Sequence, residues 1–521
     1  MKPSVSSYAL ALPLLLALGA LLVYPIALLL TQGLTVAALQ QVWTDPYLLG
    51  RLGWTLFQAL VSSLVTALLG GSAGLVFARF EFRGRRLLEA LLGLPFVVPV
   101  IVAGIGFLAL FGSRGWVYNL SDTPYLMLLA NLFYNYGIVA RSVSSAVSGM
   151  DRDLENAARL EGALSWQVLR FVTLPFALPA LYSSAGLVFL YCFASFGVPL
   201  LLAPPQYATL EVEIYSAVLR LDLGTAGALS VAQLLCTGAA TLLYTGAGAR
   251  AAGLALTGSP SRVPARGFSR VWLALHIVFA LTLTLAPLAA VLWRSVQSAN
   301  GTPTLAHYLA LFETGTGVYS SDLALAVFNN LRFAALALLI AVPLGVTHAF
   351  AVWRTRSRLL DSLSLLPLMV SATLLGVAYI VTFSAQTAQL WLLIAAYVLI
   401  SYPFVTRAAL TALRALEPGI LEAARVDGAA GWTLLRFVTL PIIAPDLRVG
   451  VAFAFAVVIG EFGATLVLHR PEWVTLTTLI LAKLARPAGL GEASALSSLL
   501  LVLTAIGFWV IGNWRFARQQ T

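Results

Sequence analysis

The chain has 521 residues, 60% of them apolar and only 10% charged. A soluble domain carries about 25% charged residues, so a water-soluble enzyme or binding module of this length is excluded: it could not cover its surface. The net charge of +10 does not point to nucleic acid, because the basic residues are dispersed between apolar runs and form no continuous patch.

A helix needs about 20 largely apolar residues to cross a bilayer. Taken in chain order, runs of that kind predict spans near 8–31, 54–78, 87–112, 124–149, 177–203, 225–247, 271–293, 328–353, 359–384, 388–412, 443–468 and 491–513. All are expected to be helices, since backbone polar groups in lipid must be satisfied within the segment. The alternation of an outer-membrane barrel strand is not seen. The first run follows a single charge, Lys2, and exceeds the apolar core of a cleaved signal peptide, so it is read as a retained helix. Cys192 and Cys236 lie inside apolar runs without metal-ligand spacing and are expected to be small core residues.

Twelve spans place both termini on one side of the membrane, and cytoplasmic loops carry an excess of Lys and Arg. With a cytoplasmic N-terminus, 23 of the 31 basic residues fall inside, among them Arg79, Arg83, Arg85, Arg86, Arg262, Arg266 and Arg270. The other eight, such as Arg51, Arg114, Arg220 and Arg470, fall outside. The predicted protein is therefore an all-α polytopic membrane protein with both termini cytoplasmic. Residues 1–247 form one six-helix unit, 248–270 a Gly-, Ser-, Pro- and Arg-rich cytoplasmic linker, and 271–521 a second unit. The outside stretch 297–325 has room for a short surface helix.

The two units repeat one another. Asn156 to Pro175 reads NAARLEGALSWQVLRFVTLP, and Glu422 to Pro441 reads EAARVDGAAGWTLLRFVTLP; 13 of the 20 positions are identical at an offset of 266. Phe196-Gly197 matches Phe462-Gly463 in the same register, and RLLEALLGLP at 86–95 matches RLLDSLSLLP at 358–367 at an offset of 272. Units of six spans have the same orientation, and parallel repeats of this kind enclose a pathway between them. Retention for packing alone accounts less easily for identity concentrated in a cytoplasmic loop, because loop residues more often carry function.

Ala157, Ala158, Arg159, Leu160 and Glu161 favour helix. Gly162 then ends it, Trp166, Leu169 and Val172 follow at helical spacing, and Leu174-Pro175 is expected to stop that segment before the next span. The second copy does the same through Ala423, Gly428, Trp432, Leu435, Arg436 and Pro441. Each loop reads as two short helices hinged at a glycine. Such a knob suits docking into a groove on a partner or lying on lipid headgroups, and the pattern alone leaves both open.

The order Glu422-Ala423-Ala424, Gly428 and Leu440-Pro441, with Ala157, Ala158, Gly162, Leu174 and Pro175 in the first copy, resembles the signature loop of bacterial ABC importer permeases. FASFGVPLLL at 193–202 and GEFGATLVL at 460–468 make the chain most similar to the double-length permeases of iron(III) and thiamine importers. That resemblance implies two ATP-binding cassette subunits docked at the loops, which include Arg159 and Arg425, and an extracytoplasmic solute-binding protein. It implies ATP and Mg on those subunits and no cofactor on this chain, and a place in the bacterial cytoplasmic membrane. Asn156 departs from the motif by replacing its glutamate, with Glu155 adjacent.

A Walker loop needs Gly-rich backbone followed by Lys and Ser/Thr, and the only lysines, Lys2 and Lys483, have neither. The chain is thus expected to be a transport subunit and not the ATPase. His276, His307, His348 and His469 form no catalytic or metal constellation in sequence. Glu461, inside an apolar run, is a candidate pathway or gating acid, with a structural pairing as its plainer reading; Ser195 is its partner in the first repeat. Iron(III) is the first expectation for the solute and thiamine the second, with polyamines and phosphonates behind. The rival reading is an ion-gradient-driven secondary transporter, which can also have six plus six helices.

Overall fold

The computed structural model describes residues 9–252, 262–298, 300–312, 323–386, 389–487 and 489–513. Among them nine helices are long and apolar enough to cross a membrane, and eleven when each of two bent pairs is taken as one span. The fourth predicted span is not among these eleven; it is the helix Tyr125–Ser148, whose 24 residues reach about 36 Å. Asn131, Asn135 and Arg141 make it more polar than the others.

The spans follow the predicted order with four interruptions. The third is Arg85–Leu91 followed by Val100–Phe111, bent by 102°. Pro95 and Pro99 fall in the bend, where their missing N–H groups and fixed φ break the helical ladder. The ninth, Arg358–Leu363 then Ala372–Thr382, bends by 87° around Pro367. The fifth and eleventh, predicted to run on to 203 and 468, are Leu174–Phe193 and Leu440–Ile459. After three residues each resumes as a short half-helix, Gly197–Leu202 or Gly463–Val467.

Pro175 and Pro441 do not stop the loop helices as expected. Ser165–Val168 runs into a wide turn, Leu169–Thr173, and on into the fifth span. The Leu174 N–H closes this turn on the Leu169 carbonyl, which gives the proline ring the room an ordinary turn denies it. Leu435–Thr439 repeats the device before Pro441, as does Gly19–Val23 before Pro25.

The two repeats are not packed as separate bodies. Leu273 and Ala280 of the seventh span, Phe268–Ser295, are buried with Ala73, Phe77, Leu92 and Tyr136 of the first repeat. Ala11, beside the first span, is buried with Ala349, Phe350 and Leu413 of the second. The repeats also meet tightly at Gly106, where any Cβ would overlap the Pro287 carbonyl oxygen. Each repeat's leading helix therefore completes the core of the other.

The predicted linker begins later than 248, because the sixth span continues as Leu223–Ala252. Residues 253–261 of it lie outside the described residues. Beyond them Val263–Pro264 pairs in parallel with Phe80–Glu81, so the linker is stitched to the loop after the second span, Pro46–Arg79. In the outside stretch the short helix is Ala306–Leu309; residues 313–322 lie outside the described residues.

Candidate functional site: two loops and a central cavity

The first loop begins where Asp151 accepts a hydrogen bond from the Asp153 N–H at 3.0 Å and caps Arg152–Leu160. Gly162 follows at φ +90°, and the Ala163 N–H reaches back to the Ala158 carbonyl at 3.0 Å. The second loop reproduces this: Pro418–Val426, Gly428 at φ +87°, and Ala429 N–H to the Ala424 carbonyl at 2.9 Å. This backbone closure needs a left-handed residue, which glycine supplies without strain. Leu160 and Val426, just before the hinges, are 88% and 87% exposed. Trp166 and Trp432 are also exposed, and Arg170 and Arg436 lie over the rings of Phe171 and Phe437.

The structure gathers the predicted residues of each loop: Ala157, Ala158, Arg159 and Gly162 on one knob, Ala423, Ala424, Arg425 and Gly428 on the other. Leu174-Pro175 and Leu440-Pro441 sit at the roots of the following spans. Glu422 lies mid-helix and exposed, with Glu417 at the helix start, so the capping role that a carboxylate near an N-terminus invites is not available to it. Sequence reasoning missed Glu155 as a functional residue. It is buried, and its carboxylate accepts from Arg79 Nη2 at 2.8 Å and from Thr173 Oγ1 at 2.6 Å. Its local sequence gives little signal, since its neighbours one turn away are Asp151, Arg152, Ala158 and Arg159.

Between the halves lies a cavity of about 400 Å³ that both repeats line. Glu461 and Ser195, far apart in sequence, both face it. Each stands in the break between a span and its half-helix. The Glu461 carboxylate accepts from the Ala464 and Thr465 N–H groups, both at 2.9 Å, and so caps Gly463–Val467. Thr477 Oγ1 donates to the Glu461 carbonyl at 3.1 Å.

The breaks free backbone groups that must be satisfied in the membrane, and one position in each repeat does so. Gln58 Nε2 donates to the Cys192 carbonyl at 2.9 Å. Its counterpart 272 residues on, Asn330, donates to the Ile459 carbonyl at 2.9 Å and accepts from the Leu476 N–H at 2.7 Å. Glycine opens both half-helices for packing: a Cβ at Gly197 would stand 2.7 Å from Val100 Cγ1, and one at Gly463 2.7 Å from Thr373 Oγ1.

Phe196 and Phe462 stack across the interface between repeats, centroids 6.1 Å apart, at the end of the cavity beside the half-helices. Toward the loops, a second hollow of about 360 Å³ adjoins the cavity, lined by Arg141, Phe404 and Phe453. The two hollows share Phe96, Tyr134, Ile138 and Phe404 in their walls. The four histidines serve as local hydrogen-bonding groups where their partners are seen, as in His348 Nε2 to the Leu360 carbonyl at 2.9 Å and His307 Nε2 to the Gln297 carbonyl at 2.9 Å.

The family model described as the binding-protein-dependent transport system inner membrane component matches residues 67–250 and again 337–514. The chain is similar to the thiamine transport system permease protein of Escherichia coli, 26% identical over 84% of this chain and 83% of that one. The corresponding Salmonella typhimurium protein is 26% identical over 89% of each. A probable sulfate transport system permease protein of Prototheca wickerhamii is 30% identical over 34% of this chain and 74% of its own. A chain of a bacterial ABC transporter that imports alginate aligns with 47% of this one at 16% identity, TM-score 0.40.

Proposed function

The chain belongs to the family of binding-protein-dependent transport system inner membrane components, and from that premise we propose that it is the translocation path of an ATP-driven importer for thiamine or a thiamine-like organic cation. As a member carrying the family unit twice, it is the membrane-spanning permease subunit of an importer, and the ion-gradient-driven alternative falls away. A separate binding protein delivers solute to the end closed by Phe196 and Phe462. Two ATP-binding subunits dock on the knobs around Gly162 and Gly428, and their closure moves the fifth and eleventh spans. Solute and nucleotide each bias one two-state element, as alternating access requires.

The observation that carries the solute class is the wall of the cavity. Phe96, Tyr134, Tyr191, Phe404 and the Phe196–Phe462 pair border it, with one carboxylate, Glu461. Thiamine has a cationic thiazolium and an aromatic pyrimidine, and aromatic faces attract such cations by about 0.5–2 kcal/mol each. The likeness to thiamine permeases over most of the chain supports the same class. Iron(III), which favours clustered hard oxygen ligands, is served less well: among the described residues no group of three or more His, Cys, Asp or Glu side chains is placed to hold a metal ion.

The test is uptake by the host with and without this gene, using labelled thiamine, iron(III) and sulfate at micromolar concentration. Thiamine uptake is expected to fall to background on deletion while the other two persist. Unchanged thiamine uptake would overturn the solute assignment.

A further inference from the structure

At the signature position the two loops place their nearest acid one residue out of register. Glu422 is exposed, and so is Asn156, which stands at the matching position of the first loop. The first loop's acid nearest that position is Glu155. One residue along a helix is a rotation of about 100°, and it turns this carboxylate to the inner face. There Glu155 is 8% exposed. Arg79 Nη2 lies 2.8 Å from it, Thr173 Oγ1 2.6 Å and Arg159 Nη2 3.7 Å.

Arg79 ends the second span, and Thr173 ends the wide turn at the root of the fifth. One carboxylate therefore joins three elements. The fifth span runs from this joint to Ser195 and Phe196 at the cavity.

The second half builds no such joint. Leu421 holds the place of Glu155 and is buried; Ala351 holds the place of Arg79. Thr439, the match of Thr173, donates to the Leu434 carbonyl of its own helix at 3.2 Å. The charged clasp nearest the loop in that half lies elsewhere: Asp361 accepts from Arg407 Nη1 at 2.7 Å and Arg414 Nη2 at 2.8 Å. It fastens the elbow of the ninth span to the tenth, Leu390–Ala415, and leaves the loop helix out.

We propose that Glu155 is a positioning residue that locks the first loop helix to the roots of the second and fifth spans, so that the two loops transmit force unequally. The first works through a directional ion-pair joint and the second through apolar packing around Leu421. Charge-assisted hydrogen bonds fix geometry as well as distance, whereas apolar contact is non-directional. The consequence for transport rests on the reading of the loops as ATPase docking sites; the joint itself does not.

The test uses the full chain, purified alone and with its ATPase subunits, as wild type, Glu155→Ala, Glu155→Gln, Glu422→Ala and the charge swap Arg79→Glu with Glu155→Arg. Amide hydrogen exchange is read at 152–160 and at 418–426. Exchange at 152–160 is expected to quicken by about tenfold or more in Glu155→Ala, with 418–426 unchanged, because a local tie is lost. The ATPase is expected to stay bound, while solute moved per ATP falls by about tenfold, within the usual range of coupling between sites. The charge swap is expected to recover a large part of both. Glu422→Ala, by contrast, is expected to weaken ATPase co-purification.

Unchanged exchange at 152–160 in both Glu155 variants would overturn the joint. So would ATPase loss in Glu155→Ala that matches the loss of uptake, which would make Glu155 part of the docking surface, or a charge swap that recovers nothing. If Glu155→Ala accumulates poorly, the same readings on Glu155→Gln decide. A wild-type chain that retains no ATPase would sink the docking reading and leave the exchange result to judge the joint.

Discussion

Glu461 has two tasks that one substitution can separate. Its carboxylate accepts two backbone amides of Gly463–Val467 and the Thr465 hydroxyl, and it faces the cavity. A hydrogen bond to a charged group contributes about 1.5–3 kcal/mol, and an anion at a helix N-terminus is favoured by the dipole. Glu461→Gln keeps one carbonyl oxygen for the cap and removes the charge. It is expected to leave membrane abundance near wild type and to lower uptake several-fold. Glu461→Ala frees buried amides and is expected to lower abundance as well. Quantitative immunoblotting beside initial uptake rates checks this; a Gln variant whose uptake falls only as far as its abundance would leave the carboxylate a cap and nothing more. In the sequence Glu461 was legible as an acid in an apolar run, but not as a cap, because the run hides the break. Gly460 and Gly463 were the only hint. Glu155 was harder still: its importance comes from Arg79, 76 residues away, and no local pattern announces that partner.

At the scale of elements, the loop hinges were legible and the spans' interruptions only partly so. A glycine ending a helix in the same place in two copies predicted the left-handed turns at 162 and 428, and both are there. Pro175 and Pro441 misled, because the wide turns before them let the helix run on. The two LRFVT copies, 266 residues apart, make that turn in the same way, and GALLV makes it before Pro25, so what the three turns share is a proline two residues on. Nothing stands within 4 Å of a Cβ at Gly162 or Gly428, so substitution there meets backbone strain alone. A left-handed conformation costs an L-residue about 1–2 kcal/mol, and more for a β-branched one. Gly162→Val and Gly428→Val are therefore expected to insert normally and to lose uptake and ATPase co-purification to a similar degree. Full uptake with intact ATPase binding in both would remove the hinge from the mechanism.

For the whole molecule, the helical architecture and the order of the helices could be read from length and hydropathy, but their exchange between repeats could not. Which apolar face meets which is settled by contacts such as Gly106 against Pro287, between residues 181 positions apart. The grouping of loops, however, was legible in charge. Phe80–Glu81 pairs with Val263–Pro264, and Arg79 reaches Glu155, so three loops predicted to lie inside share one end of the structure. Arg51, in contrast, donates to the Gln206 carbonyl at the other end, with Glu213 nearby. The bias of 23 basic residues to eight predicts that the loop end faces the cytoplasm, the side that the proposed docking of ATP-binding subunits requires. This polarity is testable without knowing the solute. Cys192 is buried and Cys236 partly so; both are replaced by Ser, and single cysteines are placed at Val426 and at Tyr118, which are 87% and 69% exposed. Expressed without partner subunits, the Tyr118→Cys protein is expected to react with a membrane-impermeant maleimide in intact cells with a permeable outer envelope. The Val426→Cys protein is expected to react only after the cytoplasmic membrane is opened. Labelling of Val426→Cys in sealed cells would invert the molecule, and with it the assignment of the loops to ATPase docking.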